Sequence, residues 1–451
     1  MILYDFLYII VSMNDVSKYK VVDLFSGCGG LSLGLEMAGF SLELAVEKSP
    51  MAAETYYHNF INKINSENEW SLYLTNDIEE QAKHKLVVDD IKNVVNSKKI
   101  IDTLKNKNID LLVGGPPCQG FSLAGKRNPD DTRNQMPWFF LDMVKKIKPK
   151  AVIMENVVGI NSKFDDKREA PLFYFKSKLS SLDYVVQPVL LNAYHYGVPQ
   201  QRPRIMLIAI EKKIAEQLDL KIYDGIWKSD DAIKDKNYKY YSLTPRVIRD
   251  NKNLTVNEAF CKIPSNALNH NKRKHSELTI NRFRLYQYFQ KNNISAKVLN
   301  YIADKKTSDL QNDSNLLEMI KNINYPAKSP DNTILANNKN EFIDLLIKLS
   351  TKKHSQRTLN GNLPSPTIVT IPDDYVHPFY PRTLTVREMA TLQSFPLNFE
   401  FKSKETTGGK KRKVEVPQYT QVGNAVPPKL AQKVGETILK ILIEAENYNL
   451  K

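Results

Sequence analysis

Four short apolar runs, each ending on glycine, proline or a carboxylate, constrain this chain more than any other feature. KVVDLF (20–25) runs into a glycine-rich turn, and SLELAVE (41–47) ends on Glu47. IDLLVGG (109–115) stops at two prolines, and AVIMENV (151–157) closes on Glu155 and Asn156. A helical pattern, LSLGLEMAGF, separates the first two runs, and plausible helices precede the others. Near-continuous apolar strands alternating with helices require a parallel sheet covered on both faces. Ligands of such sheets bind at the carboxyl ends of the strands. YVVQPVLLNA and RIMLIAI lie close enough to form an added antiparallel pair. The fold class expected is α/β with a mixed, mostly parallel sheet.

The pattern weakens after residue 210. The segment 211–370 is rich in Lys, Asn, Asp and Tyr, and reads as a smaller second domain between a first part, 1–210, and a C-terminal part, 371–451. Between Cys261 and Asn300 it holds eight Lys or Arg and one acid, Glu277. Clear periodicity returns in TLTVREMATLQSFP (383–396) and in QYTQVGNAVPPKLAQKVGETILKILI (418–443), the latter an amphipathic helix after a turn. The C-terminus is therefore expected to return and complete the first domain. GGKKRK (408–413) reads as a solvated loop within reach of phosphate.

The formal net charge of +14 suggests a polyanionic partner, and nucleic acid is the usual one. Cys28, Cys118 and Cys261 are too few for a disulfide framework and fit a reducing cytoplasm. With no C-x-x-C and no H-E-x-x-H, no metal is expected. MILYDFLYIIVSM lacks a basic start and is too short to span a bilayer, so neither signal peptide nor membrane anchor is expected. Met13 is an alternative initiator to Met1.

Four motifs sit at strand ends. In D-L-F-S-G-C-G-G (23–30), glycines permit positive φ and close approach to a ligand, and a helix begins where a negative group is favoured. Glu47, one βαβ step on, can accept both ribose hydroxyls of a nucleotide-like cofactor. The turn alone does not separate NAD from S-adenosylmethionine. In G-G-P-P-C-Q-G-F-S (114–122), two prolines fix the backbone before Cys118, whose thiol needs a polar, cation-rich or base-assisted setting to ionise. In M-E-N-V (154–157), a partly buried Glu155 can hold or give a proton. In Q-Q-R-P-R (200–204), Arg202 and Arg204 alternate and should share one face, suiting phosphate or a ring carbonyl. Each motif alone has a structural reading: a tight turn, an inert cysteine, an ion-paired acid or a basic edge strand.

In this order, with LTVREMATLQSFP and QVGNAVPP behind them, the motifs resemble the DNA cytosine-5 methyltransferase family over residues 20–210 and 355–440. The resemblance implies a Rossmann-like S-adenosylmethionine-dependent methyltransferase domain plus a target-recognition domain at 211–370. It implies that Cys118 attacks carbon 6 of a flipped-out cytosine, that Glu155 contacts ring nitrogen 3 and the amino group, and that the methyl goes to carbon 5. Arg204 would steady the base or the nucleophile, with Arg202 in support. The S-adenosylmethionine site would take Phe25 against the adenine, with Ser26, Gly27, Gly29, Gly30, Leu31, Glu47, Pro117, Asn424 and Val426. An Asp-Ile pair would meet the adenine edge. Asp90-Ile91 is preferred to Asp77-Ile78 because it sits closer to GGPPC. Substrate contacts would come from Gln119, Ser122, Lys126, Arg127, Asn156 and Gln200, with Arg133 a further phosphate contact. LAGKRNPDDTRNQ (123–135) would close over DNA. Lys272, Arg273, Lys274, Arg282 and Arg284 would position phosphates. His270, His275 and Tyr286 read equally well as structural.

The partner expected is double-stranded DNA, the setting a bacterial restriction–modification system with a cognate endonuclease that forms no stable complex, and the state a monomer. Competing readings are a tRNA cytosine methyltransferase, a non-catalytic DNA-binding relative and an NAD-dependent enzyme. The first is disfavoured by the missing Cys-Phe-Thr signature, the second by intact Cys118, Glu155 and Arg204, and the third by the other five motifs.

Overall fold

Val21, Val22 and Leu24 bury completely in strand β1 (Lys20–Leu24), at the middle of an eight-stranded sheet. A computed structural model describes residues 18–117, 135–162, 170–250, 254–305, 310 and 312–449. The remaining strands are β2 (Ser41–Val46), β3 (Leu86–Val87), β4 (Leu111–Gly114), β5 (Ala151–Asn156), β6 (Tyr184–Asn192), β7 (Pro203–Glu211) and β8 (Trp227–Lys228). The sheet order is β3-β2-β1-β4-β5-β7-β6-β8. Strands β1 to β5 run parallel, while β7 lies antiparallel between β5 and β6. The order reverses beside β1, so β2 and β4 leave a crevice at its carboxyl end. This is the mixed, mostly parallel α/β sheet that the apolar runs predict.

Both faces are covered. One core packs Leu31, Leu35, Tyr56, Met206, Leu430, Val434 and Ile438, and the other packs Val22, Ile91, Leu104, Phe140, Val144, Leu172 and Leu207. The helix Pro428–Asn449 packs along the helix Gly30–Ala38, and Gly34 and Gly435 let the two approach closely. A Cβ on Gly34 would stand 2.2 Å from the Pro428 carbonyl oxygen and 2.4 Å from the Ala431 Cβ. The run 418–443 is two helices, Gln418–Asn424 and Pro428–Asn449, because Pro427-Pro428 cannot continue the first.

A separate core holds Phe283, Leu285, Phe289, Leu299, Phe342 and Leu346, and Val376 joins it from farther along the chain. The change expected at residue 211 does not coincide with a change of core. Trp227 is completely buried in the first core, with Leu243 beside it and Tyr238, Tyr240 and Tyr241 packed around. The sequence hides this because β8 has two residues and its cover is tyrosine, which carries no alternating apolar pattern. At the other end, Leu359 and Ile368 pack with Val386, Met389, Phe395 and Tyr419 instead of with the 283–349 core.

Candidate functional site at the carboxyl edge of the sheet

Beyond β1 the chain turns through Phe25 and Gly27 at φ +60° and +57°, then Gly29 at +94°. Glu47 at the end of β2 ties the turn down. One carboxylate oxygen accepts the Gly27 N–H at 2.9 Å, and the other accepts the Ser49 N–H at 2.7 Å. Burial raises the Glu47 pKa against these bonds. Each oxygen keeps a further lone pair.

The three glycines differ in what surrounds them. A Cβ on Gly29 would stand 2.3 Å from the Phe60 ring, and one on Gly30 would stand 2.3 Å from the Val426 carbonyl oxygen. Gly30 is small because a neighbouring carbonyl fills the space, and Gly29 must in any case be glycine at φ +94°. Gly27 alone faces open room, with nothing within 4 Å of its ideal Cβ. Leu31, Ile91 and Val426 are buried and pack with the two cores. Phe25 is half-buried, and Asn424 is exposed at the end of its helix.

Under the turn, the Ser32 hydroxyl donates to Asp23 Oδ2 at 2.6 Å and lies 2.8 Å from the Tyr56 hydroxyl. Burial pushes Asp23 up to about 7. Asp23 Oδ1 and Ser26 Oγ are buried without a hydrogen-bond partner. Unmet acceptors are rare inside proteins. Two of them, with an open glycine edge and the Glu47 lone pairs, fit a ligand that carries hydroxyls and a cationic amino group. S-adenosylmethionine is such a ligand.

Of the two Asp-Ile pairs, Asp90 stands beside this cradle. Its Oδ2 accepts from Lys48 Nζ at 2.8 Å, and its Oδ1 caps the next helix through the Lys92 N–H. Asp77 instead caps the helix Ile78–Lys83, which precedes β3.

The second half of the site lies where β4, β5 and β7 meet. Gly115 follows β4, and a Cβ there would stand 2.8 Å from Glu155 Oε2. Arg204 Nε meets Glu155 Oε1 at 3.0 Å, with both side chains 13% exposed. In the antiparallel register Glu155 faces Met206, so Arg204 is its diagonal neighbour on the same face. Burial raises the Glu155 pKa, and the guanidiniums of Arg204 and Arg202 oppose that rise. Asn156 donates its amide to the Pro116 carbonyl at 3.0 Å, so it holds the backbone that leads through Pro117 to residue 118. Cys118, Gln119, Ser122, Lys126, Arg127 and Arg133 lie outside the described residues.

Two expected site residues serve the scaffold. Arg202 is completely buried and donates to the carbonyls of Ile368, Gly423 and Ala425 at 2.8–3.1 Å. Alternation placed it with Arg204, but the returning C-terminal segments claim its guanidinium. Gln200 is completely buried as well. Its amide donates to Gln393 Oε1 and the Leu392 carbonyl, and its oxygen accepts the Ile368 N–H. Both ends of its side-chain amide are bonded within the scaffold. The basic cluster thins for the same reason: Arg273 pairs with Asp373, Arg284 with Asp331, and Arg282 donates to the Leu349 carbonyl. Lys272 and Lys274 are exposed. His270 and His275 bond to Thr385 and Thr383, and Tyr286 is buried, so all three are built into the scaffold.

Sequence reasoning missed Gln421. Its oxygen accepts from Thr55, its amide donates to the Met51 and Val416 carbonyls, and its own carbonyl receives the Cys28 thiol. It locks QVGN against the glycine turn, and its place beside Asn424 was the available signal.

A family model described as C-5 cytosine-specific DNA methylase matches residues 19–440. The type II methyltransferase M.DdeI of Desulfomicrobium norvegicum is 30% identical over 449 residues, covering 96% of this chain and 90% of that protein. M1.HphI of Haemophilus parahaemolyticus, also a type II methyltransferase, is 27% identical over 436 residues, covering 94% and 90%. A solved E. coli structure described as a DNA modification methyltransferase encoded within a prophage shares the fold. It has a TM-score of 0.52 and 24% identity, over 94% of this chain and 99% of that one.

Proposed function

Because this chain belongs to the C-5 cytosine-specific DNA methylase family, and is an enzyme of that kind, we propose that it methylates carbon 5 of a flipped-out cytosine within one specific duplex sequence. The observation that carries the reading is the Glu155 carboxyl group, held by Arg204 directly over Gly115, while Asn156 fixes the backbone two residues before Cys118.

The Cys118 thiolate adds to carbon 6 of the ring. A base stacked in a duplex hides that face, so the nucleotide must leave the helix first. Glu155 meets ring nitrogen 3 and the exocyclic amino group. Burial keeps its proton on at higher pH than usual, and a protonated carboxyl can share that proton with nitrogen 3 as the ring accepts electrons. Arg204 fixes which carboxylate oxygen points to the base. After the methyl group reaches carbon 5, a base removes the hydrogen there and Cys118 leaves by elimination. When bound, S-adenosylmethionine supplies an electrophilic methyl group. Gly27, Ser26, Asp23 and Glu47 would hold its amino-acid and ribose parts, and Asp90 its adenine.

The modification enzyme of a type II restriction–modification system, acting as a monomer in the cytoplasm beside DNA, is the setting that suits this reading. No described helix is long and apolar enough to cross a membrane. The region 211–370 is proposed to choose the sequence. Sequencing for 5-methylcytosine in DNA from cells expressing the wild-type chain should show one methylated motif, and Cys118→Ser should abolish it. Full methylation by Cys118→Ser would overturn the covalent route. Methylated tRNA with unmethylated DNA would overturn the substrate.

A further inference from the structure

We propose that Arg357 contacts a phosphodiester of the DNA backbone beside the target nucleotide, and that Tyr375 is its positioning residue. This rests on the reading that the chain acts on duplex DNA.

The short strand Arg357–Thr358 pairs in parallel with Tyr375–Val376, which sets residues 357 and 375 side by side. The Arg357 guanidinium lies over the Tyr375 ring, 5.6 Å from its centroid, with Nη2 3.5 Å from the hydroxyl. Tyr375 itself is buried, and its hydroxyl donates to the Thr367 carbonyl at 2.7 Å. Thr367 Oγ1 donates to the Gln201 carbonyl at 2.8 Å, and the Gln201 N–H donates to the Ser365 carbonyl at 2.8 Å. Arg204, which holds Glu155, is three residues past Gln201. A run of contacts therefore ties Arg357 to the segment that leads into the catalytic strand.

Its charge is also free. Arg273, Arg284 and Arg382 are each paired with a carboxylate, and Arg357 has no ion-pair partner among the described residues. Of the acids nearest in sequence, Asp373 pairs with Arg273 and Lys353, and Asp374 accepts from the Ser355 hydroxyl and forms no ion pair with Arg357. Arg357 is exposed, yet the ring beneath restricts it. A planar guanidinium that stacks on an aromatic face and keeps its N–H fork outward is pre-organised for phosphate oxygens. The occupant follows from charge and place. A chain of net charge +14 that acts on DNA presents a guanidinium without an ion-pair partner among the described residues, tied through Tyr375 and Thr367 to the segment that leads into Arg204.

The test uses the full-length chain and a fluorescent duplex containing the methylated motif found by sequencing. Affinity is measured across a series of salt concentrations. Neutralising one phosphate contact should lower the slope of log affinity against log salt by about one unit. Arg357→Ala should show that drop with a several-fold loss of affinity, and Arg357→Lys should keep the slope. Tyr375→Phe, which loses the hydroxyl bond but keeps the ring, should weaken binding with the slope unchanged. Lys99→Ala, on an outer helix, should change neither. An unaltered slope in Arg357→Ala would sink the assignment, as would an equal drop in Lys99→Ala. Relaxed base preference at constant slope would make Arg357 a base reader and overturn the phosphate contact. A wild-type chain that methylates no DNA would remove the underlying reading as well.

Discussion

Arg204 reaches Glu155 diagonally between two antiparallel strands, Nε to Oε1 at 3.0 Å, where both side chains are nearly out of water. Burial drives the Glu155 pKa up and the neighbouring guanidiniums drive it down. The protonated acid is the form that can donate to ring nitrogen 3, so activity should fall as pH rises through its pKa. Removing Arg204 removes a lowering charge, and the alkaline limb should then move to higher pH. Arg204→Ala should also lower turnover roughly 10²- to 10³-fold, the scale of losing one oriented electrostatic contact. Methyl incorporation measured against pH checks both points. An alkaline limb that moves to lower pH would contradict the role given to Glu155.

Gly34 and Gly27 should fail in different ways when changed to alanine. At Gly34 the new methyl meets the Pro428 carbonyl and Ala431, so the two helices must part. Overpacking of this kind costs about 1–3 kcal/mol. Gly27→Ala meets no atom but must adopt φ +57°, which costs about 1–2 kcal/mol, and it places a methyl in the open cradle. Thermal melts with and without S-adenosylhomocysteine separate them. Gly34→Ala should melt lower yet keep the ligand-induced shift, and Gly27→Ala should lose most of that shift.

Arg202→Met should unfold the protein more readily than Arg204→Ala does. The substitution removes the arginine donor from three carbonyl oxygens, of which that of Ala425 keeps a long bond from Gln393, and each unmet group costs about 1–3 kcal/mol. Urea midpoints give the comparison. Equal midpoints for the two variants would mean that Arg202 does not hold the C-terminal segments to the sheet.

Asp23 predicts a pH trend in stability. Its folded pKa is about 7, against an ordinary carboxylate value of about 4. Between those values the folded chain binds the extra proton, so this group makes stability fall as pH rises, by at most about 1.4 kcal/mol per pH unit, with no further change above the folded pKa. Asp23→Asn should abolish that component. Relative to wild type, its melting temperature should improve steadily from pH 5 to pH 7 and then level off. A constant difference between the two proteins across that range would refute a raised Asp23.

The parallel strands, the glycine turn and the acid at the end of β5 were legible in the sequence, because apolar runs and φ-permissive residues act locally. The same local logic preferred Asp90, which pairs with Lys48 just past the end of β2. It did not show that Gly30, Arg202 and Gln200 also make scaffold contacts, since what each one touches lies up to about four hundred residues away in the chain. A glycine required by a ligand and a glycine required by a distant carbonyl leave the same letter. A guanidinium on a strand edge likewise does not reveal whether a returning segment will claim it. The strand ends are set by residue order alone. Whether a polar group at such an end is spent on the scaffold or left for chemistry depends on which remote carbonyls and carboxylates packing brings within hydrogen-bond distance. Only the assembled tertiary structure decided that, pairing Glu155 directly with Arg204 and bonding Arg202 to three remote carbonyls while its charge still acts on Glu155.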